Sequence, residues 1–156
     1  MNYLLNFKLF ESKKYDVIVI IGLPGSGKSS YAHQLLKSHP DFKIYDDFKI
    51  YDAMKEIGKC DMIISDGTLI EGTKSFLHAI TEKCAQTNCS LKVICFQNDP
   101  EQCKINIINR WNKMSVDEQM DNLHKNPKIL IKQIDMYSKL YEIPEIATII
   151  PVYKTN

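Results

Sequence analysis

The sequence predicts an α/β domain: a doubly wound, five-stranded, mostly parallel sheet with helices on both faces and a helical lid. Two observations carry that expectation. Apolar runs of strand length alternate with longer stretches of helical period, the pattern of a parallel sheet covered by helices. One run, residues 17–21, is continuously β-branched and stops at Gly22, which is how a strand buried on both faces reads. The size agrees, because 156 residues, 44% hydrophobic and 25% charged, are ordinary for one domain with one core.

The elements follow in order. Behind the 17–21 strand, a helix should start near Gly27 and run to about Ser38, before Pro40. Further strands are expected at 43–45, 62–64, 91–96 and 148–152. A helix over 75–85 repeats Phe76, Ile80 and Cys84 every four residues. The next has its entry chemistry written out: Asp99 as cap, Pro100 at the first helical position, Gln102 as the capping-box partner, and Cys103, Ile107 and Trp111 as the buried face. The last opens on Asn126 and Pro127 and carries Leu130, Ile134, Tyr137 and Tyr141. Residues 112–125 between these two helices are polar and weakly periodic, and are expected to form a lid with a short helix. Residues 1–14 read as an extension to the single domain 1–156, with no repeat or linker to divide it.

Twenty basic side chains oppose nineteen acidic ones, so the net charge of +1 forces neither nucleic-acid nor membrane binding, and any basic surface must be local. The only arginine is Arg110. Five cysteines (60, 84, 89, 95 and 103), with no C-x-x-C pair, argue against a disulfide framework or a zinc site. His33, His39, His78 and His124 share no ligand spacing and read as surface or packing residues. The first residues lack a cationic lead and a small-residue cleavage site, and no apolar run reaches the length of a membrane span. The expectation is a soluble protein of the reducing cytoplasm.

Gly22-Leu23-Pro24-Gly25-Ser26-Gly27-Lys28-Ser29 matches G-x-x-x-x-G-K-[ST] in full, after a buried strand and before a helix. The glycines let backbone N–H groups converge on phosphate oxygens, and the helix start adds the positive end of a dipole. This is the mark of the phosphate-loop (P-loop) NTPase fold. Lys28 is expected to reach the β- and γ-phosphates of ATP, and Ser29 to bind Mg²⁺, while Ser30 extends the helix. A guanine-reading Asn-Lys-x-Asp is absent: Asn112-Lys113-Met114-Ser115 lacks the aspartate and follows a helix. A small kinase is the remaining class.

A kinase needs a base for its acceptor hydroxyl, placed at the carboxyl end of a strand near the glycine loop. Asp46 and Asp47 both qualify, and adjacent residues there point in different directions. Asp66 ends an apolar strand and is the candidate Mg²⁺ ligand of Walker B type, with Thr68 beside it. Arg110, with Asn106 and Lys113 one turn away on either side, lies opposite the expected apolar face of its helix and is the candidate phosphate clamp.

In these residues the chain resembles the kinase module of 5′-hydroxyl polynucleotide kinases, within the small phosphate-loop kinases that include zeta-toxin-like proteins. The likeness runs from about Tyr15 to Tyr153. It rests on the glycine loop, on Asp47 nineteen residues past the loop lysine, on Asp66 with Thr68, on Ile108-Asn109-Arg110-Trp111-Asn112-Lys113-Met114, and on Tyr137-Ser138-Lys139-Leu140-Tyr141-Glu142-Ile143-Pro144. The resemblance implies Asp47 as general base and Arg110 as a contact to ATP phosphates. It departs at Gly67, where the family usually has Asn. A DNA or RNA 5′ end as acceptor calls for a basic track, for which Lys104, Arg110, Lys113, Lys125, Lys128, Lys132 and Lys139 are available against Asp117, Glu118, Asp121 and Asp135. Tyr45, Phe48 and Tyr51 are candidates for stacking a terminal base. A small metabolite, nucleoside or sugar is the alternative acceptor, and a non-catalytic nucleotide-binding regulator the alternative class.

Overall fold

The computed structural model describes residues 14–46, 49–65, 69–70 and 72–155. The 1–13 part of the extension, Asp47, Phe48, Asp66, Gly67 and Thr68 lie outside the described residues. The β-branched run forms strand β1 (Asp16–Ile21), and its last five residues are buried. Around it stand β2 (Lys43–Asp46), β3 (Met62–Ser65), β4 (Ser90–Phe96) and β5 (Thr148–Ile150), in the order β2-β3-β1-β4-β5. All pairings are parallel, with Val19 opposite Ile64 on one side and Val93 on the other. The expectation of a mostly parallel sheet is met by a fully parallel one, and the last strand stops two residues earlier than the pattern indicated.

Alternation along β1 divides the core into two faces. Ile18 and Ile20 meet Ala32, Tyr31, Leu35 and Leu36 of α1 (Lys28–Ser38). Val17, Val19 and Ile21 face the other way, toward α2 (Ile50–Glu56), α3 (Thr73–Gln86), α4 (Pro100–Lys113) and α6 (Pro127–Leu140). Each such fully buried Ile contributes about 1.5–3 kcal/mol relative to exposure. Helix α2 is absent from the sequence-based expectation, although Ile50, Ala53 and Ile57 occupy one buried face at helical spacing. Seven residues are too few for the period to stand out against flanking polar residues.

Helix α4 follows its entry signals, with Asp99 accepting from the Gln102 N–H at 3.0 Å. Two details differ. The Gln102 side chain donates forward to Asn106 Oδ1 instead of reaching back to the cap, and the buried face is Cys103, Asn106 and Ile107, with Trp111 only half-buried. A wider arc of α4 is therefore covered than three residues at i, i+4, i+8 describe, because the phosphate loop lies against it. The 112–125 stretch contains α5 (Val116–Asp121), entered through a complete capping box of Ser115 and Glu118, and a 3₁₀ turn Leu123–Lys125.

Tyr141, expected on the last helix, is instead its C-cap residue and drops into the core. Its hydroxyl donates to the Phe96 carbonyl at 2.6 Å and lies 3.1 Å from the Ile21 carbonyl, tying together the carboxyl ends of β4 and β1. All five thiols are free; Cys84, Cys95 and Cys103 are buried. No helix among the described residues is long and apolar enough to cross a membrane.

Tyr141→Phe leaves those two buried carbonyls short of their donor and is expected to lower the unfolding free energy by about 1–3 kcal/mol in a denaturant titration. Burial pushes the Cys84 and Cys95 thiols up to about 11 and Cys103 up to about 12. The unfolded chain ionises these thiols first, so their stabilising contribution is complete below pH 9 and is lost as pH rises through 11 and 12. Urea midpoints measured from pH 7 to 10.5 should hold level up to about pH 8 and then fall, and serine at these three positions should flatten that fall.

Candidate functional site

The turn leaving β1 carries the glycine loop into α1. Gly25 and Gly27 hold φ of 80° and 106°, a left-handed backbone that only glycine adopts without strain. Space is as restrictive as torsion. A Cβ on Gly25 would sit 2.5 Å from the Cys103 carbonyl, one on Gly22 would sit 2.6 Å from Ser26 Oγ, and one on Gly27 would sit 2.6 Å from the Tyr153 ring. The loop is thus pressed between α4, Phe96 of β4 and the segment after β5.

Its hydrogen bonds fix the remaining freedom. The Ser26 N–H donates to Leu23 O at 3.1 Å, and Ser26 O accepts from the Tyr153 N–H at 3.1 Å. The Ser26 hydroxyl is fully buried without a hydrogen-bond partner, as is that of Ser65 at the end of β3. Lys28 Nζ donates to Gly22 O at 2.7 Å and Leu23 O at 3.1 Å, which folds the ammonium over the loop. Gly27 caps α1 without a side chain, so no side-chain cap occupies the start of the helix.

These residues form one wall of a pocket of about 330 Å³. The opposite wall is a single face of α4, where Asn106, Asn109, Arg110 and Lys113 recur at spacings of three and four, and Tyr153 and Thr155 close the end. Among the described residues no carboxylate lines it, whereas Lys28, Arg110 and Lys113 all do. Desolvation lowers the pKa of Arg110 from its ordinary value, yet a guanidinium stays charged at neutral pH. The arrangement sets a helix start and cationic side chains on two sides of one pocket, a chemistry suited to anions.

The structure brings together Gly25, Gly27, Lys28, Ser29, Ser30, Arg110 and Lys113 from the sequence-based set, with Gly22, Pro24 and Ser26 in the body of the loop. It does not bring Asp46 to this pocket. That residue ends β2 opposite Ser65, and β3 separates it from β1, so it stands two strand spacings, about 10 Å, from the loop's strand. Asn106 is corrected from the polar face of α4 to a buried position at 6% exposure. Of the basic track, Lys104 is held by Glu101 at 2.9 Å and Asp135 at 2.8 Å. Of the candidate stacking residues, Tyr45 packs against the core and Tyr51 is exposed beside Phe76. The four histidines behave as surface groups: His33 Nδ1 lies 2.6 Å from Ser29 O, His39 stacks on Phe42, His78 lies 3.4 Å from Glu82, and His124 is exposed. Among the described residues no group of three metal-binding side chains gathers. Asn109, Tyr153 and Thr155 were not anticipated; their signal is positional, since ligands in doubly wound sheets bind beyond the carboxyl ends of strands, and 153–155 lies just beyond β5.

A parallel five-stranded sheet with this loop after β1 is the phosphate-loop NTPase fold, and solved structures share it. A gluconokinase from Sinorhizobium meliloti 1021 superposes with a TM-score of 0.60 at 10% identity, over 92% of this chain and 86% of that one. Kti12 of Chaetomium thermophilum, in complex with ADP-AlF3, gives 0.58 at 13% identity over 86% and 88%. A fungal RNA kinase gives 0.59 at 13% over 92% and 79%. No protein-family profile matches the chain. The chain belongs to the same family as uncharacterized protein R277 of Acanthamoeba polyphaga mimivirus, to which it is 33% identical over 135 residues, 82% of this chain and 87% of that protein.

Gly27→Ala meets both the positive φ and the Tyr153 ring. It is expected to destabilise the fold by about 1–3 kcal/mol, read as a lower thermal midpoint.

Proposed function

We propose that the protein is an ATP-dependent kinase that transfers a phosphoryl group to a hydroxyl acceptor, the 5′-hydroxyl of a polynucleotide. The observation that carries phosphoryl transfer is the pocket in which a glycine-loop helix start, Lys28, Arg110 and Lys113 converge with no carboxylate among its described lining. In this reading the backbone of Gly22, Pro24, Gly25, Ser26 and Gly27, with the helix start at Ser29 and Ser30, holds the phosphates. Lys28 swings from the Gly22 and Leu23 carbonyls to the β- and γ-phosphates, and Arg110 and Lys113 neutralise charge from the α4 side. The left-handed backbone at Gly25 and Gly27 and the helix start at Lys28, Ser29 and Ser30, all lining the pocket, fit a triphosphate. Ser29, with Asp66 and Thr68 after β3, would hold Mg²⁺, which supplies charge neutralisation on the phosphate oxygens.

For the acceptor, Asp47 at the β2 end is the proposed base that orients and deprotonates the hydroxyl, with Asp46 the competing carboxylate. The polynucleotide assignment is supported by the resemblance carried by Asp47 and 108–114, by the cations of α6, which packs on α4, and by exposed Tyr51. One observation favours a small metabolite, nucleoside or sugar instead: Lys104 is neutralised by Glu101 and Asp135, which thins the basic track.

The test is transfer of labelled γ-phosphate from ATP with Mg²⁺ to a 5′-hydroxyl oligonucleotide, beside pooled nucleosides and sugars. Label on the oligonucleotide, with a KM that climbs steeply with salt, is the expected outcome. Label only on a small acceptor would replace the acceptor assignment, and ATP binding without any transfer would favour the non-catalytic regulator.

Lys28→Ala should abolish transfer, and Arg110→Lys should lower it at least tenfold despite its conserved charge. Asp47→Asn should spare ATP binding while lowering turnover roughly 100-fold or more; the same loss from Asp46→Asn alone would exchange the two carboxylates.

A further inference from the structure

Of the three buried side chains of α4, Cys103, Asn106 and Ile107, only Asn106 is polar. Asn106 is 6% exposed, between buried Cys103 and Ile107. Both of its polar atoms are fully used. Nδ2 donates to Gly25 O at 2.9 Å and to Tyr153 O at 2.5 Å. Oδ1 accepts from Gln102 Nε2 at 3.0 Å, the Thr155 N–H at 3.2 Å and Thr155 Oγ1 at 3.0 Å. One turn on, Asn109 Nδ2 adds a contact to Thr155 Oγ1 at 3.2 Å.

Burying an amide carries a desolvation cost that hydrogen bonds only offset, so packing alone favours an apolar residue at this position. What Asn106 adds is connection, since its partners are the backbones of two segments far apart in sequence, at 25 and at 153–155. We infer that Asn106 is a positioning residue that fastens the phosphate loop to the C-terminal wall of the pocket, so that a nucleotide held by the loop also orders residues 153–155. The inference rests on reading this pocket as the nucleotide site.

The geometry explains how. The Gly25–Ser26 peptide is fixed at both ends, its carbonyl by Asn106 and its N–H by Leu23 O, so its plane cannot rotate. Ser26 O in turn takes the Tyr153 N–H, and the Tyr153 ring fills the space over Gly27. Three links therefore join the loop to one strip of chain, and Asn106 is the one made through a third element, α4.

Calorimetric titration of wild type and Asn106→Ala with Mg-ATP, paired with hydrogen exchange of peptides covering α1 and residues 151–156, tests this. Asn106→Ala should bind at least tenfold more weakly, and at saturation should keep ATP-induced protection of α1 while losing it at 151–156. A residue serving only stability would lower the thermal midpoint and leave both readouts unchanged in the folded protein, which would overturn the inference. If Asn106→Ala does not fold, Thr155→Pro removes the N–H and hydroxyl donors at an exposed position and should uncouple 151–156 in the same way; wild-type coupling in that variant would overturn it too. A wild-type protein that bound no ATP would remove the nucleotide-site reading itself, whereas normal wild-type binding with an unaffected variant would remove only the role of Asn106.

Discussion

The rest of the structure depends on how closely the backbone of the phosphate loop is approached from outside. At Gly22, Gly25 and Gly27 a single added carbon would fall within 2.6 Å of neighbouring atoms, and those neighbours belong to the loop itself, to α4 and to the segment after β5. Phe96 of β4 adds its own contact at 3.0 Å over Gly22. Elements that begin 70 to 130 residues later in the chain are thus held against one eight-residue turn. Their contact is with backbone, which cannot step aside as a flexible side chain does. The left-handed torsions of Gly25 and Gly27 belong to the same loop whose Cβ-free backbone α4 and Tyr153 pack against.

That packing decides where the charge sits. Helix α4 turns Cys103 and Ile107 into the core and, from the same turns, presents Arg110 and Lys113 to the pocket. An amphipathic helix normally separates a dry face from a wet one. Here the pocket lies at the seam, so the cations face the loop while the helix stays anchored by its apolar side. Lys28 folds over the loop's own carbonyls, so the cations of the loop and of α4 line the same pocket from opposite walls. Tyr141 steadies the floor by bridging the ends of β1 and β4, the two strands that carry the loop and α4.

Much of this was legible in the sequence, and for physical reasons. Residues 17–21 announce a buried parallel strand because a strand without a wet face has no reason to alternate, and the loop that follows has a spacing fixed by its chemistry. Asp99 and Pro100 locate α4 because unsatisfied helix-start N–H groups demand a cap. What could not be read was whatever depends on the partner of a face. Asn106 looks like a surface residue beside Arg110 until the loop is laid over it, and α2 is too short for its period to emerge. Likewise Tyr153 and Thr155 carry no motif of their own; their place comes from the strand that precedes them and the helix that receives them.

The sheet order bears on the choice between carboxylates. β3 is the immediate neighbour of β1, and β2 is the next strand out. The end of β3 at Ser65 therefore stands about 5 Å from the line of β1, and the end of β2 at Asp46 about 10 Å. A metal that also touches Ser29 at the start of α1 suits the nearer strand, and a base that must leave room for the acceptor hydroxyl between itself and the donor suits the farther one. Under the proposed function, the strand order is compatible with a metal ligand after β3 and a base after β2. In the proposed reading the roles are divided accordingly, with the cations of α4 gathering the negative charge of the donor and a carboxylate after β2 taking the proton of the acceptor hydroxyl, the separation that phosphoryl transfer to a hydroxyl requires.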